Sequence, residues 1–262
     1  MNDDLKGKVA IVTGAGRGIG RGIALAYGAA GIKVAVVSRT QKTVDGVTEE
    51  IRKAGGTALG VTCNVGDREA VFAMVDRVAS QLGRVDILVN NAQGHGPADK
   101  PAAAPVLQPL ETFDESEWEH SFRTGVMASL WSMKAVFPHM KDRGGRIVNF
   151  GSAWGQLGNQ GSAAYNANKE AIRGLTRTAA REWGKYRITC NVISPVVRTD
   201  AMMAVETAAP EHTAEALRHI PLGRWGDPVK DGGGLALFLA SSQSDFLTGM
   251  TFMLDGGFCM YP

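Results

Sequence analysis

A short apolar strand that runs straight into a glycine-rich turn and out into a helix leaves few folds open, and residues 8–38 have this form. Lys8 to Thr13 reads as the strand, followed at once by Gly14-Ala15-Gly16-Arg17-Gly18-Ile19-Gly20. A helix comes next, with apolar residues at Ile23, Ala26, Tyr27 and Ala30, closed by Gly31. Lys33 to Ser38 is a second strand. Glycines allow the backbone to turn tightly and to approach a pyrophosphate, which then faces the N–H groups of the helix start. The spacing is G-x-x-x-G-x-G rather than G-x-G-x-x-G, because Ile19 stands where the stricter pattern needs glycine.

The end of the second strand selects the nucleotide. A carboxylate there would hydrogen-bond a ribose 2′-hydroxyl and repel a 2′-phosphate. The chain offers Ser38-Arg39 instead, with Arg17 in the glycine turn. Two guanidiniums and a hydroxyl favour a phosphate, so NADP(H) is the expected cofactor; the alternative is an Arg39 that is merely solvated.

Strands and helices then alternate without a break in composition. Thr57 to Val65, Val85 to Asn91, Arg146 to Phe150, Arg187 to Ile193 and Thr251 to Leu254 read as strands. Asp67 to Leu82, Glu115 to Lys141, a segment carrying Tyr165 and ending near Gly184, and Pro228 to Ser242 read as helices. This alternation predicts an α/β protein: a doubly wound parallel sheet of about seven strands with helices on both faces. One domain over residues 1–262 is expected, with no linker or internal repeat. Two stretches break the rhythm, Gly94 to Thr112, rich in Ala and Pro, and Val196 to Pro221. Both follow the C-terminal ends of strands, where an open α/β sheet places its ligands, so they read as substrate walls or lids. A mobile surface excursion is the alternative for the Ala/Pro-rich loop.

The chemistry concentrates between Gly145 and Trp183. The strand ending at Phe150 leads through Gly151-Ser152 and a Gly-rich loop to Tyr165-Asn166-Ala167-Asn168-Lys169. On a helix, Lys169 lies one turn beyond Tyr165 and on the same face. A phenol titrates near pH ~10 in water, and a nearby cation favours its ionised form. Lys169 is therefore expected to lower the Tyr165 pKa and make it a usable acid/base. Ser152 is placed to hold a carbonyl or hydroxyl oxygen against that phenol.

Composition removes other classes. A hydrophobic content of 44% with 21% charged residues describes a water-soluble globular chain with ample core. The net charge of +2 gives no reason to expect nucleic acid or an anionic membrane as a partner. No apolar run approaches ~18 residues, and the N-terminus lacks a signal-peptide pattern, so a cytoplasmic location is expected. Cys63, Cys190 and Cys259 are scattered, which fits a reducing compartment. His95, His120, His139, His212 and His219 show no metal-ligand spacing and read as surface or packing residues, so no metal is expected.

Taken together, these motifs resemble the short-chain dehydrogenase/reductase family over nearly the whole chain. Thr13 to Gly20 resembles its T-G-x-x-x-G-x-G motif, and Asn90-Asn91-Ala92 the start of its N-N-A-G motif. Ser152, Tyr165 and Lys169 match its catalytic serine and Y-x-x-x-K. Pro195 and Thr199 resemble its nicotinamide-side loop, and Asp255-Gly256-Gly257 its C-terminal D-G-G. The resemblance implies a Rossmann-type subunit, a tetramer or dimer, with Tyr165 as general acid/base and Ser152 orienting the reacting oxygen. Lys169, and with it Tyr165, would meet the nicotinamide ribose. It also implies cofactor contacts at Gly14, Gly16, Arg17, Gly18, Ile19 and Gly20. Further contacts are implied at Ser38, Arg39, Asn64, Val65, Asn91 and Ala92, and at Pro195, Val197 and Thr199.

Three departures cluster on the substrate side. Many members carry an Asn in the long helix seven residues after a Trp; counting from Trp118 gives Gly125. Gln93 replaces the glycine of N-N-A-G, and Val196 follows Pro195 in place of glycine, with Thr199 one residue early. Either the Gln93 amide fills space vacated at Gly125, or the changes are unrelated drift. Gln93, Trp154 and Met202 are the candidate substrate contacts, and Met203, Phe258 and Met260 are further candidates for an apolar pocket; ordinary packing is the alternative for each. The expected function is an NADP(H)-dependent oxidoreductase that interconverts a ketone and a secondary alcohol, its small-molecule substrate leaning toward a bulky hydrophobic one. The alternatives are a 3-oxoacyl thioester reductase and a non-catalytic NADP(H)-binding or sensing protein.

Overall fold

A computed structural model describes residues 4–199, 202–203, 206–207 and 210–260 of the chain. Seven parallel strands form one sheet in the order β3-β2-β1-β4-β5-β6-β7. They are β1 (Val9–Thr13), β2 (Lys33–Ser38), β3 (Ala58–Thr62), β4 (Ile87–Asn90), β5 (Gly145–Phe150), β6 (Ile188–Pro195) and β7 (Thr251–Leu254). The central strands are near-continuous apolar runs because both faces of the sheet are covered; every residue of β1 and β4 is buried. On one face pack α1 (Gly18–Ala29), α2 (Gln41–Lys53) and a C-terminal helix (Gly234–Ala240), through Ile23, Tyr27, Val47, Ile51 and Leu239. On the other face α3 (Arg68–Leu82) and two longer helices bring Val71, Val75, Met133, Val136 and Ala179 into a second core.

The expected fold class holds, with local differences. Helix α2 lies between the second and third strands, where no helix is predicted, although Val44, Val47 and Ile51 give it a buried stripe. The long helix predicted over 115–141 is α4 (Glu115–Phe122), a π-helical turn (Arg123–Met127) and α5 (Ala128–Met140). Asp114 starts it, its carboxylate accepting from Ser116 N at 2.9 Å. A similar π segment, Pro228–Gly233, precedes the C-terminal helix. The remaining helices are α6 (Ala153–Leu157), α7 (Ala163–Trp183) and α8 (Pro210–Arg218), leaving the C-terminal one as α9. Helices α6 and α8 lie in stretches that read as loops.

Strand order reverses between β1 and β4, and a crevice opens beyond their C-terminal ends. Thr13 ties the two ends together. Its Oγ1 donates to Val89 O at 3.2 Å and accepts from Asn91 N at 3.0 Å and Ala92 N at 3.1 Å. The glycine turn after β1 and the Asn91-Ala92-Gln93 segment after β4 thus stand side by side.

Helices α1 and α9 are joined by one buried polar contact, the Tyr27 hydroxyl donating to Ala236 O at 3.0 Å. Tyr27→Phe removes that donor without changing the packing volume. It is expected to cost about 1 kcal/mol and lower Tm by about 2–4 °C. A thermal melt unchanged from the parent would show that this hydroxyl does not fasten α1.

Candidate active site

A cavity of about 700 Å³ runs along the strand ends from the glycine turn to Tyr165. At one end, Gly14, Arg17, Gly18 and Ile19 line it below the start of α1. Gly14 is left-handed at φ +68°, which lets the chain leave β1 and fold back over the helix start. Arg17, at the N-cap position, makes no side-chain bond to the helix, so the first amides of α1 remain open to an anion. Ser38 and Arg39 line the same end from β2. Gly16 and Gly20 lie behind the lining: a Cβ on Gly16 would meet Thr43 Oγ1 at 2.6 Å, and one on Gly20 would meet the Asn91 amide at 2.5 Å. Their smallness lets the turn settle against the start of α2 and the segment after β4. The cavity thus gathers open helix amides, two arginines and a hydroxyl, a set of donors that fits the phosphates of a dinucleotide.

Asn64, Val65, Asn91 and Ala92 line the middle of the cavity. Asn91 is fixed by its amide donating to Thr13 O at 2.9 Å. Beyond them, Pro195, Val197 and Thr199 line the wall that follows β6.

The catalytic candidates meet at the far end. Ser152 follows β5 and caps α6, its Oγ accepting from Trp154 N at 3.2 Å. Tyr165 and Lys169 rise one turn apart on α7. The Tyr165 ring lies between two others, edge-on to Trp154 at 6.3 Å and tilted against His95 at 5.5 Å. Lys169 Nζ donates to Phe150 O at 3.1 Å and sits 5.5 Å from the centre of the Tyr165 ring.

The electrostatics correct one expectation. Lys169 is expected to bring the Tyr165 pKa down, yet the phenol is shifted up. Burial pushes it upward, and the Ser152 hydroxyl only partly opposes that. Lys169 Nζ lies over the ring, and burial pulls its own pKa down to about 8. A cation held this way exerts less pull on the phenol than burial exerts push.

On the substrate side, Gln93, Trp154 and Met202 line the cavity, with Phe258 beside them. Met203 and Met260 do not; they are 40% and 79% exposed. Of the Ala/Pro-rich loop, Ala103, Ala104 and Pro105 form wall, and the His95–Ala102 bridge holds that wall in place. His95 corrects another reading, for it lines the cavity next to Tyr165. Burial, with Lys169, Arg17 and His120 nearby, lowers its pKa to about 3, so it is neutral at physiological pH. Its place just after the N-N-A segment is the one sequence sign of this position. His219 also lines the cavity, after α8. Residues 200–201, 204–205 and 208–209 of the predicted Val196–Pro221 loop lie outside the described residues. Among the described residues, no three His, Cys, Asp or Glu side chains gather to hold a metal ion. Nor is any described helix long and apolar enough to cross a membrane.

Known proteins agree with this arrangement. A family model described as enoyl-(acyl carrier protein) reductase matches residues 14–259. The 12alpha-hydroxysteroid dehydrogenase of Clostridium sp. is 35% identical, covering 98% of this chain and 98% of its own length. The 3-oxoacyl-acyl-carrier-protein reductase of Staphylococcus aureus is 35% identical over 97% of this chain and 98% of its own. Among solved structures, 7alpha-hydroxysteroid dehydrogenase complexed with NADH and 7-oxo glycochenodeoxycholic acid superposes with a TM-score of 0.88. It shares 32% identity, over 98% of this chain and 97% of that one. With its sheet order, glycine turn and Ser152-Tyr165-Lys169 cluster, the chain belongs to the short-chain dehydrogenase/reductase family of oxidoreductases acting on CH–OH and C=O groups.

Proposed function

We propose that this chain is an NADP(H)-dependent oxidoreductase interconverting a hydrophobic ketone and its secondary alcohol. The observation that carries the reading is the single cavity joining the glycine turn and the Arg17–Arg39 end to the Ser152-Tyr165-Lys169 end. A nicotinamide dinucleotide bound there supplies the hydride that is exchanged with the substrate carbon. The glycine turn holds its pyrophosphate on the open amides of α1. Ser38, Arg39 and Arg17 would take the 2′-phosphate, and Asn64, Val65, Asn91 and Ala92 would hold the adenosine and its ribose. Tyr165 and Lys169 would hold the far ribose, and Pro195, Val197 and Thr199 the nicotinamide.

In reduction, Ser152 holds the carbonyl oxygen and the Tyr165 hydroxyl gives it a proton; in oxidation Tyr165 takes the proton back. Burial keeps the phenol protonated at neutral pH, which suits the acid role. Trp154, Met202, Phe258 and Pro105 make the substrate wall largely apolar, and the likeness to a 12alpha-hydroxysteroid dehydrogenase supports a bulky hydrophobic substrate. The test is NADPH absorbance followed with a panel of ketones of increasing size and hydrophobicity. Turnover of the larger apolar ketones is expected. No oxidation with any ketone, and no reduction of NADP+ with any alcohol, would leave a nucleotide-binding protein without turnover. The likeness to a 3-oxoacyl reductase favours a second reading, and a 3-oxoacyl thioester belongs in the same panel. A thioester preferred over every simple ketone would select it.

The cofactor preference has its own test. Family membership leaves this choice open, since the hydroxysteroid dehydrogenase structure above holds NADH. Here the choice rests on Arg17 and Arg39 beside Ser38. Arg39→Asp replaces a charge-assisted contact by repulsion and is expected to move the NADPH/NADH ratio of kcat/KM toward NADH by about a hundredfold. A ratio that does not move would mean that Arg39 is only solvated.

A further inference from the structure

The departures at positions 93 and 125 are joined by a third residue that the Y-x-x-x-K pattern hides. Asn168, one residue before Lys169 on α7, is fully buried. Its Oδ1 accepts from Val126 N, inside the π-helical turn, at 2.8 Å. Its Nδ2 donates to Gln93 Oε1 at 2.8 Å. Gln93 in turn donates from Nε2 to Gly94 O at 2.8 Å and to Ser121 O at 3.2 Å. Two carboxamides therefore lace together the segment after β4, the long helix and the catalytic helix.

The lacing occupies the space at position 125. A Cβ added to Gly125 would lie 2.6 Å from Asn168 Oδ1 and 2.6 Å from Gln93 Oε1, and closer still to Asn168 Nδ2. Real Cβ atoms essentially never come so near. Because these atoms belong to hydrogen-bonded amides, Asn168 buried and Gln93 half-buried, they cannot swing away without losing partners. Glycine at 125 is thus a condition of having Asn168 and Gln93 where they are. It also removes the competing side chain from a turn whose widened backbone offers the Val126 N–H sideways to α7.

We infer that Asn168 is a positioning residue for the reaction. From α7 and through Gln93 it holds the π-helical turn and the Gln93-Gly94-His95 wall in register with Tyr165 and Lys169, and so does from the opposite helix the work of the Asn that many relatives carry at the position of Gly125. Residues 93, 125 and 168 form one exchangeable set. The inference rests on the proposed oxidoreductase reading for its catalytic readout, but the exchange itself is legible in folding.

The experiment compares the parent, Asn168→Ala, Gly125→Asn, and the triple variant Gly125→Asn with Asn168→Ala and Gln93→Gly. Nucleotide-binding stoichiometry and Kd are measured by fluorescence, stability by thermal melt, and kcat and KM on the best ketone of the panel. Asn168→Ala is expected to lose about a hundredfold in kcat per nucleotide-binding subunit, because a misplacement on the order of 1 Å has that effect. Nucleotide Kd should stay within about threefold, since the affected contacts lie beyond the nucleotide end. A purely structural role would instead lower kcat only in step with the fraction of subunits that bind nucleotide, and would overturn the positioning role. Gly125→Asn alone is expected to melt well below the parent and to lack turnover. The triple variant should recover the parent's melting temperature and at least about a tenth of its kcat. A triple variant as unstable as Gly125→Asn would overturn the exchange. Tyr165→Phe run in parallel separates the two layers: full activity in that variant would sink the proposed mechanism, while the melts would still decide the exchange.

Discussion

Tyr165→Phe is expected to lower kcat by about a thousandfold while leaving nucleotide affinity nearly unchanged. The substitution removes one oxygen and keeps the ring, so the contacts at 6.3 Å to Trp154 and 5.5 Å to His95 remain. What is lost is the proposed proton donor to the substrate carbonyl, and general acid catalysis of this kind contributes 10²- to 10⁴-fold. His95 is the alternative donor within reach. Its pKa of about 3 keeps it uncharged through the physiological range, so it offers no imidazolium proton at pH 7. The check is steady-state turnover of parent and variant, with nucleotide Kd from fluorescence quenching. A loss smaller than about tenfold would place the proton donor elsewhere. Residual activity that climbs as the pH is lowered toward 4 would point to His95.

Lys169→Met is expected to abolish most activity and yet to stabilise the fold at neutral pH. Burial lowers the Lys169 pKa from 10.5 to about 8, so the folded state carries that charge reluctantly. The shift corresponds to a penalty on the order of 3 kcal/mol at pH 7, where both folded and unfolded states hold the proton. The sign follows from proton binding. Between pH 8 and 10.5 the unfolded chain binds more protons at this site, so stability rises with pH there, and the advantage is lost as pH falls through 8. Methionine fills the same volume without a charge. It leaves Phe150 O without its donor, which offsets part of the gain. A net increase of about 1–2 kcal/mol is expected at pH 7, or about 3 °C or more in Tm, shrinking as the pH is raised toward 10. Activity should fall about a hundredfold, because nothing then balances a phenolate at Tyr165. Melts of both proteins at pH 7 and pH 10, without nucleotide, check the pattern. A variant less stable than the parent at pH 7 would show that Lys169 is better solvated than its burial implies. A gain in stability at the expense of turnover is the usual mark of a functional group held against its physical preference.

Much of this was readable from local pattern. Strand, glycine turn and helix over residues 8–38 follow from apolar runs and punctuation within a few residues of each other, and so does the pairing of Tyr165 with Lys169 across one helical turn. Other features have no local signature. Helix α2 has its stripe in Val44, Val47 and Ile51, but low overall hydrophobicity masks it. Within the π-helical turn at Arg123–Met127 the Val126 N–H is taken by Asn168 from forty-two residues away, and no periodicity in its own segment reports that. His95 becomes part of the cavity wall only when its loop closes on Ala102. The direction of the Tyr165 shift needs a depth of burial that spacing does not carry. Asn168 sits inside the best-known motif of the chain, in a position where the motif is silent.

The Ser152 hydroxyl serves two masters, as helix cap for α6 through Trp154 N and as the intended holder of the substrate oxygen. Redesign of this pocket therefore meets a constraint of linkage between architecture and chemistry. Ser152→Ala would unfasten the short helix that presents Trp154 while also stripping the oxygen's anchor, so a dead Ser152→Ala enzyme would be an ambiguous result. Ser152→Thr, which keeps the hydroxyl, is the cleaner probe, and libraries aimed at the Trp154 wall should leave position 152 untouched.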